Sequence, residues 1–143
     1  MSASSSRGLP LQDIFKRRRA MPGEGARTWL IADAYLPSAG AGRLAGHEAI
    51  CILNTGDHPA RVEIDVYFEE AEPHLGVAVT IGARRTRHIR TDKPEMLGGL
   101  TIPRELPYAI RLRSDVPIVV QYSRLDVTQP NLALMTTLGF ATP

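Results

Sequence analysis

The sequence predicts an all-β domain, and three observations carry that prediction. From Thr28 onward apolar residues recur at period two in short runs, each run ends in a turn signal, and no stretch keeps a helical period for the length of a helix. Eleven prolines and twelve glycines are spread along 143 residues of which only 6% are aromatic, a pattern of many turns and short elements. About seven or eight such runs at hairpin-like spacing imply an antiparallel β-sandwich or barrel.

The runs follow in order. TWLIADAY (28 to 35) leads into the turn-rich LPSAGAG, and HEAICILN (47 to 54) is closed by Thr55, Gly56 and Asp57. ARVEIDVYF (60 to 68) alternates most cleanly, with Val62, Ile64, Val66 and Phe68 inward and Arg61, Glu63, Asp65 and Tyr67 outward. GVAVTIGA (76 to 83) runs into ARRTRHIR (83 to 90), after which residues 91 to 107 read as a long loop with short elements. YAIRLRS (108 to 114) and PIVVQYSRLD (117 to 126) are expected to form an antiparallel pair around a turn at Ser114 and Asp115. LALMTTLGF (132 to 140) completes the set as a further strand.

Ile118, Val119 and Val120 are consecutive, so the strand that holds them is apolar on both faces, as strands covered on both sides are. A small sandwich covers one face of each sheet. The second cover is a loop or another subunit, and a homo-oligomer with a β surface at its interface is expected.

Length and 43% hydrophobic content suit one domain, placed at residues 28 to 143, preceded by a basic extension at residues 1 to 27. The pI of about 9.0 belongs to that extension. Residues 1 to 27 hold six basic residues against two acidic ones, whereas residues 28 to 143 hold eleven against thirteen, a balance of −2. Nucleic-acid binding needs a net basic surface, so the domain itself is a poor candidate for it. Within the extension, Pro10, Leu11, Ile14 and Phe15 followed by four cations allow two turns of amphipathic helix, too short to stand alone. No apolar run approaches the ~18 residues of a membrane span, and MSASSSRGLP lacks the apolar core of a signal peptide. A soluble cytoplasmic protein is expected. The single cysteine, Cys51, sits in the apolar run AICIL and reads as a small buried hydrophobe.

Catalytic chemistries find little support. HEAIC has no second histidine at metalloprotease spacing, and His47, His58, His74 and His88 include no His-x-His pair for a cupin-like metal site. No nucleophile elbow, Walker loop or dinucleotide-binding loop follows a strand. A pairing of Cys51 with His47 or His88 would lack an evident orienting group. Neither an enzyme nor a cofactor or metal is expected.

What remains is a set of polar residues in or beside apolar strands: Glu48, Asn54, Arg84, Arg85, His88, Gln121, Arg124 and Asp126. Burying any of them unpaired costs a few kcal/mol, so they must pair, face solvent or line a wet concavity. Along the basic strand, period two puts Arg84, Thr86, His88 and Arg90 on one face and Arg85, Arg87 and Ile89 on the other.

The blocks TWLIADAYLP, HEAICILNTGD, VEIDVYF, ARRTRHIR and VPIVVQYSRLD followed by NLAL, in this order and covering about four fifths of the chain, resemble the sensory rhodopsin transducer family. The resemblance implies a small cytoplasmic β-sandwich resembling a jelly roll, assembled as a cyclic homotetramer. It implies either a small-molecule binding module for sugar-like or anionic ligands or the soluble partner of a membrane photoreceptor, with DNA binding a further possibility. The eight polar residues match the family's polar positions and are the ligand-binding candidates. Arginine brings forked donors, Asn54 and Gln121 donate and accept, Glu48 and Asp126 accept from hydroxyls, and His88 can tune occupancy near neutral pH. The extension departs from the family pattern, so its role is not implied.

Overall fold

The computed structural model describes residues 20–143. The expected short helix at Pro10 to Phe15 lies outside the described residues. Eight strands run as β1 (Ala26–Tyr35), β2 (His47–Asn54), β3 (Ala60–Phe68), β4 (His74–Ile81), β5 (Arg85–Arg90), β6 (Pro107–Asp126), β7 (Ala133–Leu138) and β8 (Phe140–Thr142), with one 3-10 turn at Pro94–Met96. All pairings are antiparallel and join into one eight-stranded sheet, so the all-β expectation is met.

Segments 108 to 114 and 117 to 126 were expected to fold back on each other as a hairpin. They form instead the single 20-residue strand β6. Its first half pairs with β1 and β3, and its second half with β2 and β7. The physical reason lies in Ser114 to Pro117. The β3 ladder stops at Ser114 and the β2 ladder starts at Val119, so the proline, which has no N–H to give, falls where one ladder has ended and the next has not begun. Asp115 does not turn the chain; its carboxylate accepts from the Arg61 amide at 2.8 Å and ties the bend to the start of β3. Turn-forming residues here change the ladder rather than reverse the strand.

The sheet consequently has two arms that share β6. One arm runs β4-β3-β6-β1-β8, and the other runs β5-β2-β6-β7. The inner faces of both feed a single buried cluster, with Trp29, Ile31, Val62, Ile64, Val79 and Leu112 from the first arm and Ile50, Ile52, Ile89 and Val120 from the second. Truncating one of the fully buried members to alanine is worth about 2–5 kcal/mol. Trp29 is anchored as well as packed, because its indole N–H is shared between the carbonyls of Ala26 and Ile118. Gly25, at φ +109°, lets the start of β1 pass close to β6, where a Cβ would stand 2.0 Å from the Ile118 carbonyl oxygen.

The expected inward set of β3 holds, with Val62, Ile64 and Val66 buried and Phe68 half-buried. Asp65 points outward as expected but is fully buried, because Arg111 and Arg113 of the neighbouring strand close over it. The single strand expected at residues 132 to 140 is instead two short ones, β7 and β8, the second reaching Thr142, separated by Gly139, whose amide bonds the Val120 carbonyl. Every residue of β7 is exposed. No helix among the described residues is long and apolar enough to cross a membrane.

Candidate functional site

The second arm turns one face into the core and the other outward, and strand alternation decides which side chain goes where. Directly opposed residues share a face, so Cys51 of β2 meets His88 of β5 and Gln121 of β6, while Leu53 meets Thr86 and Val119. Ser123 opposes Thr136 of β7 in the same way, and the Gln121 amide hydrogen-bonds the Thr136 hydroxyl. Together with Leu134 these residues line an open concavity of about 480 Å³ on the outer face. Its groups are hydroxyls, one amide, one imidazole and one thiol, set among leucine and valine side chains. Among the described residues no carboxylate and no guanidinium lines it. Such a surface can exchange donors and acceptors with a neutral polar molecule while its apolar patches cover carbon. Burial pushes the Cys51 thiol above its ordinary value, with a hydrogen bond to Ser123 acting in the opposite direction, and so disfavours the thiolate. Cys51 is half-buried on this face rather than enclosed in the core.

On the inner face of the same arm, period two places Glu48 in line with Ile50 and Ile52, and it is fully buried with them. Every acceptor site it offers is used. The Tyr35 amide donates to Oε1 at 2.6 Å, Arg124 Nε donates to Oε1 at 3.3 Å, Thr91 Oγ1 donates to Oε2 at 3.2 Å, and the Tyr108 hydroxyl donates to Oε2. Tyr35 and Tyr108 belong to the first arm, whereas Glu48 and Arg124 belong to the second. The carboxylate therefore bonds both arms where they meet. Arg124 continues outward, stacked over the rings of Tyr35 and Tyr122 at 5.6 and 5.7 Å, and reaches Asp33 at 3.7 Å. Burial first, then the charge of Glu48 and the hydrogen bond to it, raise the Tyr108 hydroxyl far above the ordinary tyrosine value, so it stays a donor at any physiological pH.

The eight polar candidates thus divide into several places. His88 and Gln121 come together at the outer concavity, flanking Cys51. Glu48 and Arg124 meet on the inner face. Asn54 is fully buried at the end of β2, where its amide nitrogen donates to the carbonyls of His58, Gly82 and Ile81 and its oxygen accepts from Gly56 N–H. Arg84 takes a left-handed conformation, φ 52°, in the turn between β4 and β5 and pairs with Asp57 at 3.5 Å. Arg85 is exposed and bonds the Arg84 carbonyl. Asp126 accepts from Thr128 N–H and Oγ1 as the chain leaves β6, and these two bonds hold its carboxyl below the usual range. The face assignment of the basic strand holds for Thr86 and His88, which point outward, and for Ile89, which is fully buried in the core; Arg84 precedes the strand.

Sequence reasoning did not single out Tyr35, Thr91, Tyr108 or Tyr122, which complete the Glu48 network, nor Ser123 and Thr136 at the concavity. Only one signal for these was available: Glu48 shares its period-two register with Ile50 and Ile52, which marks it as buried and in need of partners. Among the described residues no group of three or more His, Cys, Asp or Glu side chains gathers as a metal site would.

A family model described as the Anabaena sensory rhodopsin transducer matches residues 24–141. A solved Thermotoga maritima protein, described as Thermotoga maritima 1070, is 42% identical with a TM-score of 0.74, over 82% of this chain and 96% of that one. The solved Anabaena sensory rhodopsin transducer is 39% identical with a TM-score of 0.58, over 69% of this chain and 82% of that one. No curated protein sequence matches.

Proposed function

The chain belongs to the Anabaena sensory rhodopsin transducer family, and on that premise we propose that it is a non-catalytic cytoplasmic signalling module that binds a small, neutral, hydroxyl-rich ligand such as a sugar. In this reading the two arms pack as a jelly-roll-like β-sandwich, and copies assemble into a homo-oligomer, a tetramer in the simplest case. The observation that carries the reading is the outer concavity, where His88 and Gln121 stand with Ser123, Thr86 and Thr136 among Leu53, Val119 and Leu134. A sugar presents hydroxyls along its edges and C–H groups on its faces, and this lining answers both. The absence of carboxylates and guanidinium groups from it among the described residues favours a neutral ligand over an anionic one. Glu48, Asn54 and Arg124 then serve by holding the arms and turns that shape the surface, and Arg84, Arg85 and Asp126 lie outside it.

A thermal-shift screen of neutral sugars, polyols and sugar phosphates, followed by calorimetry, tests the reading. At least one neutral compound should raise the melting temperature of the wild type. Gln121→Ala and His88→Ala should each weaken it about ten-fold, the equivalent of one hydrogen bond, while Arg85→Ala leaves it unchanged. A screen in which no compound shifts the wild type sinks the proposal. A second reading, docking on the cytoplasmic face of a sensory rhodopsin, is favoured by the 39% identity to the Anabaena sensory rhodopsin transducer. Binding to such a rhodopsin in detergent micelles, weakened when the light state changes, would select it. DNA binding is the least supported, since residues 28 to 143 carry a balance of −2.

A further inference from the structure

A second concavity, of about 380 Å³, opens at the far end of β3, between the β3–β4 turn and the loop that precedes β6. Phe68, Leu100 and Leu106 give it an apolar lining, to which Glu69, Glu70 and Glu72 of the β3–β4 turn add carboxylates. Leu106 is 52% exposed, so apolar surface is held open to solvent beside these acidic side chains. An occupant that complements it must be apolar and cationic at once.

The chain carries one such segment. Residues 9 to 19, LPLQDIFKRRR, place Leu9, Leu11, Ile14 and Phe15 directly before four consecutive cations. We propose that this groove receives the leader of a second copy of the chain, with the apolar residues in the lining and Lys16 to Arg19 against the glutamates. Reach favours a second copy over the chain's own leader. Met21 is pinned beside the β2–β3 turn, since its amide donates to Asp57 Oδ2 at 3.1 Å and its carbonyl accepts from Asp57 N–H at 3.4 Å. The groove lies at the other end of β3, eight residue steps or about 26 Å away. From Met21 back to Phe15 are six steps, which span at most about 20–22 Å when fully extended. In its own copy the leader would bring Phe15 and the cations after it to the groove only by full extension and the length of their side chains. The leader of a neighbouring copy has no such limit.

The inference requires two copies to meet, as the homo-oligomer reading supposes, and the experiment separates the two. Full-length protein is prepared at natural isotope abundance and fully labelled with nitrogen-15, mixed in equal parts, unfolded in urea and refolded together so that copies exchange, treated with a water-soluble carbodiimide and digested for mass spectrometry. Lys16 and Lys93 are the chain's only lysines, so products at Lys16 are assigned without ambiguity. The expected result is Lys16 joined to Glu69, Glu70 or Glu72 in mixed-isotope peptide pairs. The variant Ile14→Asp/Phe15→Asp, which keeps Lys16 and leaves the buried core untouched, should reduce those pairs about ten-fold or more through loss of two apolar anchors. Pairs of one isotope only would overturn the inference, because the leader would then occupy its own groove. A sedimenting oligomer whose Lys16 links elsewhere, or not at all, overturns the docking and leaves the homo-oligomer reading standing. A monomer at every concentration with no mixed pairs overturns both.

Discussion

Glu48 and Arg124 oppose each other across the β2–β6 ladder and meet at 3.3 Å, the carboxylate with no exposed surface and the guanidinium at the border of solvent. The pair stands where the two arms of the sheet converge, and Tyr35, Thr91 and Tyr108 supply the remaining donors to the carboxylate. A buried charge this fully bonded is costly to disturb from either side.

Three substitutions grade that cost. Glu48→Ala leaves four donors unanswered in the interior and should destabilise by about 4 kcal/mol or more, and Arg124→Ala by roughly 3 kcal/mol, since it strands the carboxylate. Tyr108→Phe removes a single hydrogen bond to a charged group, about 1.5–3 kcal/mol. Urea unfolding followed by the fluorescence of Trp29, the chain's single tryptophan, measures all three. Equal losses for Glu48→Ala and Tyr108→Phe would show that the carboxylate is not the hub.

Asn54→Ala should act on stability and leave ligand affinity alone. Its side chain answers three carbonyls and one amide at the end of β2, and leaving those groups without a partner costs at least about 2 kcal/mol. Urea unfolding paired with calorimetry on any ligand found in the sugar screen separates the two roles. An affinity loss without a stability loss would place Asn54 in the binding site.

Asp65 makes folding stability depend on pH. Burial alone would raise its pKa, but hydrogen bonds from Arg111 and from the Gly76 amide, with the charge of Arg113 close by, hold its carboxyl below the usual carboxylate range. A group depressed in the folded state contributes stability that is present above its unfolded value, about 3.9, and is lost as pH falls from there through the folded value. Denaturation at a series of pH values from 7 down to 2.5 should show that loss in the wild type and a shallower one in Asp65→Asn. Parallel curves for the two proteins would remove Asp65 as the cause.

The homo-oligomer proposed above predicts where substitution would dissociate it without unfolding it. Leu138 and Phe140 flank Gly139 at 64% and 70% exposure, on β7 and β8, two of the edge strands that pair on one side only. Such edges are ready sites for association. Leu138→Lys/Phe140→Lys should lower the sedimentation coefficient to that of a monomer while changing unfolding stability by less than about 1 kcal/mol. An unchanged oligomer would move the interface elsewhere on the molecule.

Much of the fold was legible because strands report themselves locally. HEAICILN and ARVEIDVYF match β2 and β3 residue for residue, since period-two alternation and flanking turn residues depend on neighbours in the chain. β6 was not legible, because Ser114, Asp115 and Pro117 carry the same turn chemistry whether the strand reverses or passes from one set of partners to another. Only the positions of β3 and β2 distinguish the two outcomes. Of the concavity, only His88 and Gln121 stood out in the sequence, because polar residues on strands that pair across the chain carry no local mark of a shared face.

By itself the sequence determined that the domain is built from short antiparallel strands, that its positive charge resides in the first 27 residues, and that Glu48, set among apolar neighbours, needs partners. These follow from composition and from a two-residue period. The tertiary structure decided that one long strand serves both arms, that Glu48 finds its partners on both of them, and that His88 and Gln121 face outward together while Asn54 turns inward. Those outcomes depend on which strands lie side by side, and strand pairing is set by contacts between residues tens of positions apart, where the local pattern carries no information.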